Sequence, residues 1–213
     1  MRRFLSCLIL ILTTTVFYAF SQPQNAEGPE HWQQVDIVTT PPAGESYHKI
    51  GMVTAKATGT TEFSSVSRVT IRAHQKLQMA CAMAGGQVVQ LAFTAIEGNL
   101  PLLRTSRAQL IGFAYTKNPV QLDSAQAYIQ QGNWKVVGLF KFLNNSSRIK
   151  FRLLNNFGGI ALRSAEPRPD GIWITGTAKG KVRQYRISYL SPGRMLLFYQ
   201  KGARMYNLMV LKQ

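Results

Sequence analysis

Apolar residues recur along this chain with two periods, which alternate in its first half, whereas the second half keeps almost wholly to the strand period. Tyr47 to Ala55 alternates as a strand does, placing Ile50, Met52 and Thr54 on one face, with Gly51 inside it. Ser64 or Ser65 then supplies a helix N-cap. From there Val66, Val69, Ala73, Leu77, Ala80, Cys81 and Ala84 recur at spacings of three and four, while Arg68, Arg72, Gln75 and Lys76 fall on the other side. Gly85-Gly86 stops this helix, because glycine takes the left-handed cap conformation without steric cost. Gln87 to Ala95 and Ala108 to Lys117 read as strands, with Glu97 to Ser106 a loop between them. The order is β-α-β-β. Ahead of it a short extended piece, Gln34 to Thr39, is ended by Pro41-Pro42, and Ala43-Gly44-Glu45-Ser46 makes a turn.

Beyond Lys117 the helical period returns only briefly, in Asp123 to Ile129 with Asp123 as N-cap. From Trp134 onward strands follow at short intervals: Trp134 to Phe142, Arg148 to Leu154, Ile160 to Arg163, Ile172 to Ala178, Val182 to Leu190, Met195 to Gln200 and Arg204 to Lys212. The breaks at Asn144 to Ser147, Asn155 to Gly159, Pro167 to Gly171, Lys179-Gly180, Ser191 to Gly193 and Lys201-Gly202 carry turn residues. Connections this short leave no room for crossover helices, so neighbouring strands run antiparallel. The expected fold class is α+β. A polar N-terminal segment (22–45) precedes a βαββ domain (46–118), a short helical linker (119–132) and an antiparallel meander (133–213) curled into a small barrel or half-barrel.

Three patterns in the βαββ stretch carry a resemblance: Pro41-Pro42-x-Gly44 ahead of Tyr47 with Ile50-Gly51, the alanine-rich helix ending in Gly85-Gly86 before Val88-Val89, and the closing Ile111-Gly112-Phe113-Ala114-Tyr115. In these it resembles the small βαββ domain of YbjQ-like proteins and of the RcsF-type stress-sensor lipoprotein of the outer membrane. The resemblance implies a helix laid across a small sheet in an exported domain. The four cysteines of the sensor's disulfides have no counterpart here, so the implication is one of fold and not of signalling. Gly132-Asn133-Trp134 resembles the Gly-x-Trp opening of lipocalin-like barrels, which implies an alternative function as carrier of a small apolar ligand.

The first residues set the expected compartment. Arg2 and Arg3 precede an apolar run from Phe4 to Phe20, and Ala19-Phe20-Ser21 offers a small-x-small cleavage site. Residues 1–21 therefore read as a signal peptide, and the protein is expected to be exported to a bacterial periplasm or the extracellular space. Cys7 leaves with that label and only Cys81 remains, so no internal disulfide holds the mature chain. Its stability must come from its core.

Charge distinguishes the halves more sharply than hydropathy does. From Gln22 to Asn133 eight Lys and Arg stand against seven acids, whereas from Trp134 to Gln213 fifteen stand against only Glu166 and Asp170. A field of that sign attracts anionic surfaces and acidic partners. No Gly-x-Ser-x-Gly elbow, His-Glu-x-x-His pair, Walker loop or dinucleotide fingerprint is present, so no catalytic residue and no cofactor is expected. His74 and Cys81 lie seven positions apart on the predicted helix, about 10 Å of rise, too far to share one metal ion. Cys81 reads as a small core residue, and Glu166 and Asp170 as solvated acids in a proline-containing loop.

The candidate anion-binding residues are Lys179, Lys181, Arg183 and Arg186 around the Lys179-Gly180 turn, together with Lys150 and Arg152, which share a strand face with Leu154. Arginine forks fit phosphate and carboxylate, and Tyr185, Tyr189, Tyr199 and Tyr206 lie on nearby strands. The sequence does not establish an aromatic platform interleaved with charge, so nucleic acid is not the expected partner. The expectation is a non-catalytic envelope protein that binds an anionic envelope component (lipid headgroup, lipopolysaccharide or peptidoglycan) or an acidic protein.

Overall fold

A computed structural model describes residues 28–44, 46–60, 64–98, 105–144, 146–155 and 158–213. The expected signal peptide and the polar residues after it, up to residue 27, lie outside the described residues, as does Glu45 of the expected turn. The α+β architecture is observed as two sheets. The first takes β1 (Asp36–Val38), β2 (His48–Thr58), β3 (Val88–Glu97) and β4 (Arg107–Thr116) in the order β1-β3-β4-β2, with β1 parallel to β3 and the other pairs antiparallel. A 3₁₀ helix, Pro29–Gln34, leads into β1. Helix α1 (Val66–Met83) starts at Ser65, whose hydroxyl accepts from the Arg68 N–H at 3.3 Å, and gives way to Gly85 at φ 83°.

Strand β2 departs from simple alternation. Its ladder with β4 shifts between Lys49 and Gly51, where Gly51 adopts φ 141°, and the inward phase moves by one residue. Ile50 is buried before the bulge and Val53, Ala55 and Ala57 after it, which leaves Met52 62% exposed on the face opposite to the one alternation assigned it.

The second sheet is the meander: β5 (Trp134–Leu143), β6 (Lys150–Leu153), β7 (Gly159–Arg168), β8 (Gly171–Ala178), β9 (Lys181–Ser191), β10 (Arg194–Lys201) and β11 (Arg204–Lys212). β11 returns to pair with β5 along its length, so the sheet curls onto itself. It does not become a regular barrel: β5 meets β7 only through Trp134 and Lys135, and β6 takes the rest of that edge. The break expected across Pro167 to Gly171 is narrower than the turn residues suggested, since β7 runs on to Arg168 and Pro167 stands opposite Ile172. Helix α2 (Leu122–Gln130) begins with Gln121 at the cap position, not Asp123, which sits in the first turn where its charge suits the helix dipole. Among the described residues no helix is long and apolar enough to cross a membrane.

Two apolar clusters hold these layers. Trp134, Val136, Ile160, Ile174, Tyr185, Leu197 and Leu208 fill the inside of the meander, with Ala125 of α2 joining them and Tyr128 stacked 6.1 Å from Trp134. The other cluster joins Leu77, Met83 and Leu110 to Phe140, Phe142, Leu196, Phe198 and Met205, so α1 is buried between the first sheet and the meander's outer face. That double burial explains Lys76, which spacing places on the polar side but which is buried with its ammonium donating to the Lys56 carbonyl at 2.8 Å. It also explains the unbroken apolar run Met195 to Phe198, since β10 is packed on both faces.

Candidate functional site

Strand alternation decides which cations meet. On β10, Leu196 and Phe198 face α1 while Met195 and Leu197 enter the meander core, so Tyr199 and Lys201 continue the inner face. The same parity on β11 puts Arg204 and Tyr206 inside with Leu208 and Val210, and on β9 it puts Lys181 and Arg183 inside with Tyr185 and Ile187. On β5 Phe140 and Phe142 face α1, so Leu139 and Lys141 point inward. Pairing carries this face onto β6, where Arg152 stands opposite Leu139 and Lys150 opposite Lys141.

The inner face therefore changes character along the strands. It is apolar around Trp134 and Val136 and becomes aromatic and then cationic toward the other end of β5. One row crosses four neighbouring strands there: Tyr199 pairs with Tyr206, Tyr206 with Lys141, and Lys141 with Lys150. The Tyr199 and Tyr206 rings stack at 4.8 Å and 10°, Tyr185 meets Tyr199 edge-on at 5.7 Å, and the Arg183 guanidinium lies 5.6 Å over the Tyr199 ring. Burial raises the Tyr185 and Tyr199 hydroxyl pKa values above the ordinary tyrosine range, opposed by the Arg183 charge. Both phenols are thus neutral near pH 7. Tyr199 and Tyr206 spend ring surface on each other, so what they offer a ligand is hydroxyl groups rather than a stacking platform.

Lys141 and Lys150 are like charges set directly opposite in an antiparallel ladder, an arrangement that costs about 0.2–1 kcal/mol until an anion lies between them. The two acids of this half are engaged elsewhere. Glu166 pairs with Arg168 at 3.5 Å, and Asp170 lies 3.7 Å from Arg186 and accepts from the Trp173 indole N–H at 2.8 Å. Asp170 is therefore a structural partner and not the solvated acid its loop suggested.

Of the six residues singled out from sequence, Lys150, Arg152, Lys181 and Arg183 lie on this inner face and are exposed. Lys179 stands in the β8–β9 turn at φ 51°. Arg186 has the opposite parity on β9 and is buried, 4% exposed, against the first sheet and α1. Its guanidinium donates to the carbonyls of Ile50, Asp170 (3.2 Å) and Ala84 (2.7 Å), and lies 4.9 Å over the Phe198 ring. Asn207 donates beside it to the Met83 carbonyl at 2.7 Å and accepts from Ser188 at 2.8 Å. Together Arg186 and Asn207 bind the end of α1, where helix carbonyls lack intrahelical partners and a positive charge complements the dipole. Arg186 is a clamp between the two sheets, which removes it from the anion-binding set.

Lys141, Lys201 and Arg204 belong to the inner face and were not singled out. Their signal was present: Leu139-x-Lys141, Leu197-x-Tyr199-x-Lys201 and Leu208-x-Tyr206-x-Arg204 each run from apolar to cationic in one phase. No family model, curated protein or solved structure matches this chain. A cleft of about 630 Å³ lies outside the meander, between the 3₁₀ helix, the end of α1, the segment before α2 and β9.

Proposed function

We propose that this chain is a non-catalytic binding protein of the exported compartment, and that the inner face of its meander takes the phosphate or carboxylate of an anionic envelope component or an acidic partner. The observation that carries this reading is the Lys141–Lys150 pair beside the tyrosine stack, with Arg152, Arg183, Lys201 and Arg204 on the same face. Ammonium and guanidinium groups supply charge-assisted hydrogen bonds, and neutral phenols add donors that tolerate either kind of anion. The interior side chains of the meander occupy the space that a carrier of an apolar ligand would need, which supports binding at the cationic end over binding inside.

Co-sedimentation with phosphatidylglycerol vesicles, phosphatidylcholine vesicles and isolated cell wall, each across a salt series, tests the proposal. Binding to the phosphatidylglycerol or cell-wall material, weak binding to neutral vesicles and a steady loss with salt are expected. Equal binding to neutral and anionic vesicles, or binding indifferent to salt, rejects it.

A further inference from the structure

The cleft between the two sheets has a chemistry different from that of the cationic face. Its volume, about 630 Å³, falls in the range of small-molecule sites, roughly 300–1,000 Å³, and its place at the junction of two structural layers is where such sites concentrate. The walls carry four carboxamides: Gln34 from the 3₁₀ helix, Gln87 after α1, and Asn118 and Gln121 before α2. Gln87 is fixed in place, since its side-chain oxygen accepts from the Lys117 N–H at 2.8 Å, its N–H donates to Tyr115 and its carbonyl accepts from the Asp36 N–H at 3.0 Å.

Gln87 thereby sets one acid and one base on either side of itself. Asp36 stands on β1 and Lys117 follows β4, with β3 between them, so the strands that carry them are two spacings apart, about 10 Å, with Lys117 two residues beyond the position level with Asp36. Both line the cleft and both are exposed. Among the described residues neither takes part in an ion pair; the Lys117 ammonium lies 5.7 Å from the Tyr47 ring, a surface contact that a carboxylate displaces readily.

We propose that this cleft binds a short peptide with free ends, its amino group on Asp36, its carboxylate on Lys117 and its amides on the surrounding carboxamides. Three residues in extended conformation span about 10 Å, the spacing of the two strands that carry the charges, so a tripeptide is the length the proposal takes. The site is independent of the anion-binding face, because it depends on an acid and a base acting together and not on an excess of cations.

Calorimetric titration of the protein with tri-alanine, and with the same peptide N-acetylated and C-amidated, tests the assignment. Tri-alanine is expected to bind, with a loss of tenfold or more for the doubly blocked peptide and for the Asp36→Asn and Lys117→Met variants. Because both side chains are exposed, melting temperature should stay at the wild-type value in either variant. The Lys141→Glu/Lys150→Glu variant should bind tri-alanine as the wild type does. No heat of binding with tri-alanine, equal affinity for the blocked peptide, or loss only in the Lys141→Glu/Lys150→Glu variant overturns the proposal.

Discussion

Arg183 and Arg186 lie three positions apart on one strand and do unrelated work, because an odd separation sends them to opposite faces of the sheet. Arg183 is exposed beside the tyrosine stack, whereas Arg186 is closed in and surrounded by carbonyls. Arg186→Met strands those carbonyls and should lower stability by about 3 kcal/mol or more, while Arg183→Met should stay within about 0.5 kcal/mol. Urea denaturation midpoints of the two variants make the comparison, and similar midpoints would refute the clamp. The sequence shows two arginines of equal standing on β9; what separates them is the path of α1, which no local pattern contains. Cys81 was readable, since a lone cysteine between alanines on a helix suits a core, and it is fully buried with its thiol donating to the Val88 carbonyl at 3.4 Å. Burial pushes that thiol far above its ordinary range. The unfolded chain therefore loses the proton first, so the associated stability is whole below the unfolded thiol pKa, about 8.5, and declines as pH rises past it, by about 1.4 kcal/mol per unit. Cys81→Ala should flatten the fall in melting temperature between about pH 8 and about pH 10. Parallel curves for the two proteins contradict that sign.

At the scale of elements, the strands and helices are where alternation and turn chemistry place them, and the errors of strand phase arise at bulges. Gly51 shifts the phase of β2 and exchanges Met52 for Val53 in the core, and a second shift, between Met209 and Val210, resets β11 against β5. A period-2 reading has no means of finding an inserted residue, so it places Met52 inward. The end of α1, in contrast, is written plainly. Gly85 holds φ 83°, and a Cβ there would come within 2.6 Å of the Ser188 carbonyl oxygen of β9. Gly85→Ala should therefore cost about 2–4 kcal/mol, from left-handed strain together with the clash, and separate α1 from the meander. Calorimetric melting of this variant checks it, and an unchanged melting temperature would mean that the contact between the sheets does not hold the molecule together. The same reading of phase gives the cationic face on which the proposal rests: once β10 is known to be apolar on both faces, the cations at its end and at the ends of its neighbours sort themselves by parity.

Across the whole molecule, the contrast between a nearly neutral first half and a strongly basic second half was visible in composition, but composition does not say which cations converge. Register does. Lys141, Lys150, Arg152, Arg183, Lys201 and Arg204 share the inner face, while Arg168, Arg186 and Arg194 are engaged with Glu166, Asp170 and Glu30. The last of these pairs, Arg194 to Glu30 at 3.0 Å, ties the 3₁₀ helix of the first half to β10 of the second. The two halves share a core and a clamp, so the cationic face is carried by one packed body rather than by a tethered module. Binding that arises from net charge alone would treat all exposed cations alike. The most direct measurement is therefore co-sedimentation with phosphatidylglycerol vesicles for two variants of identical net charge: Lys141→Glu with Lys150→Glu on the inner face, and Lys56→Glu with Arg68→Glu on the first half. Loss of tenfold or more in affinity for the first pair and retention of near-wild-type binding by the second is the predicted result; equal losses in the two variants contradict it.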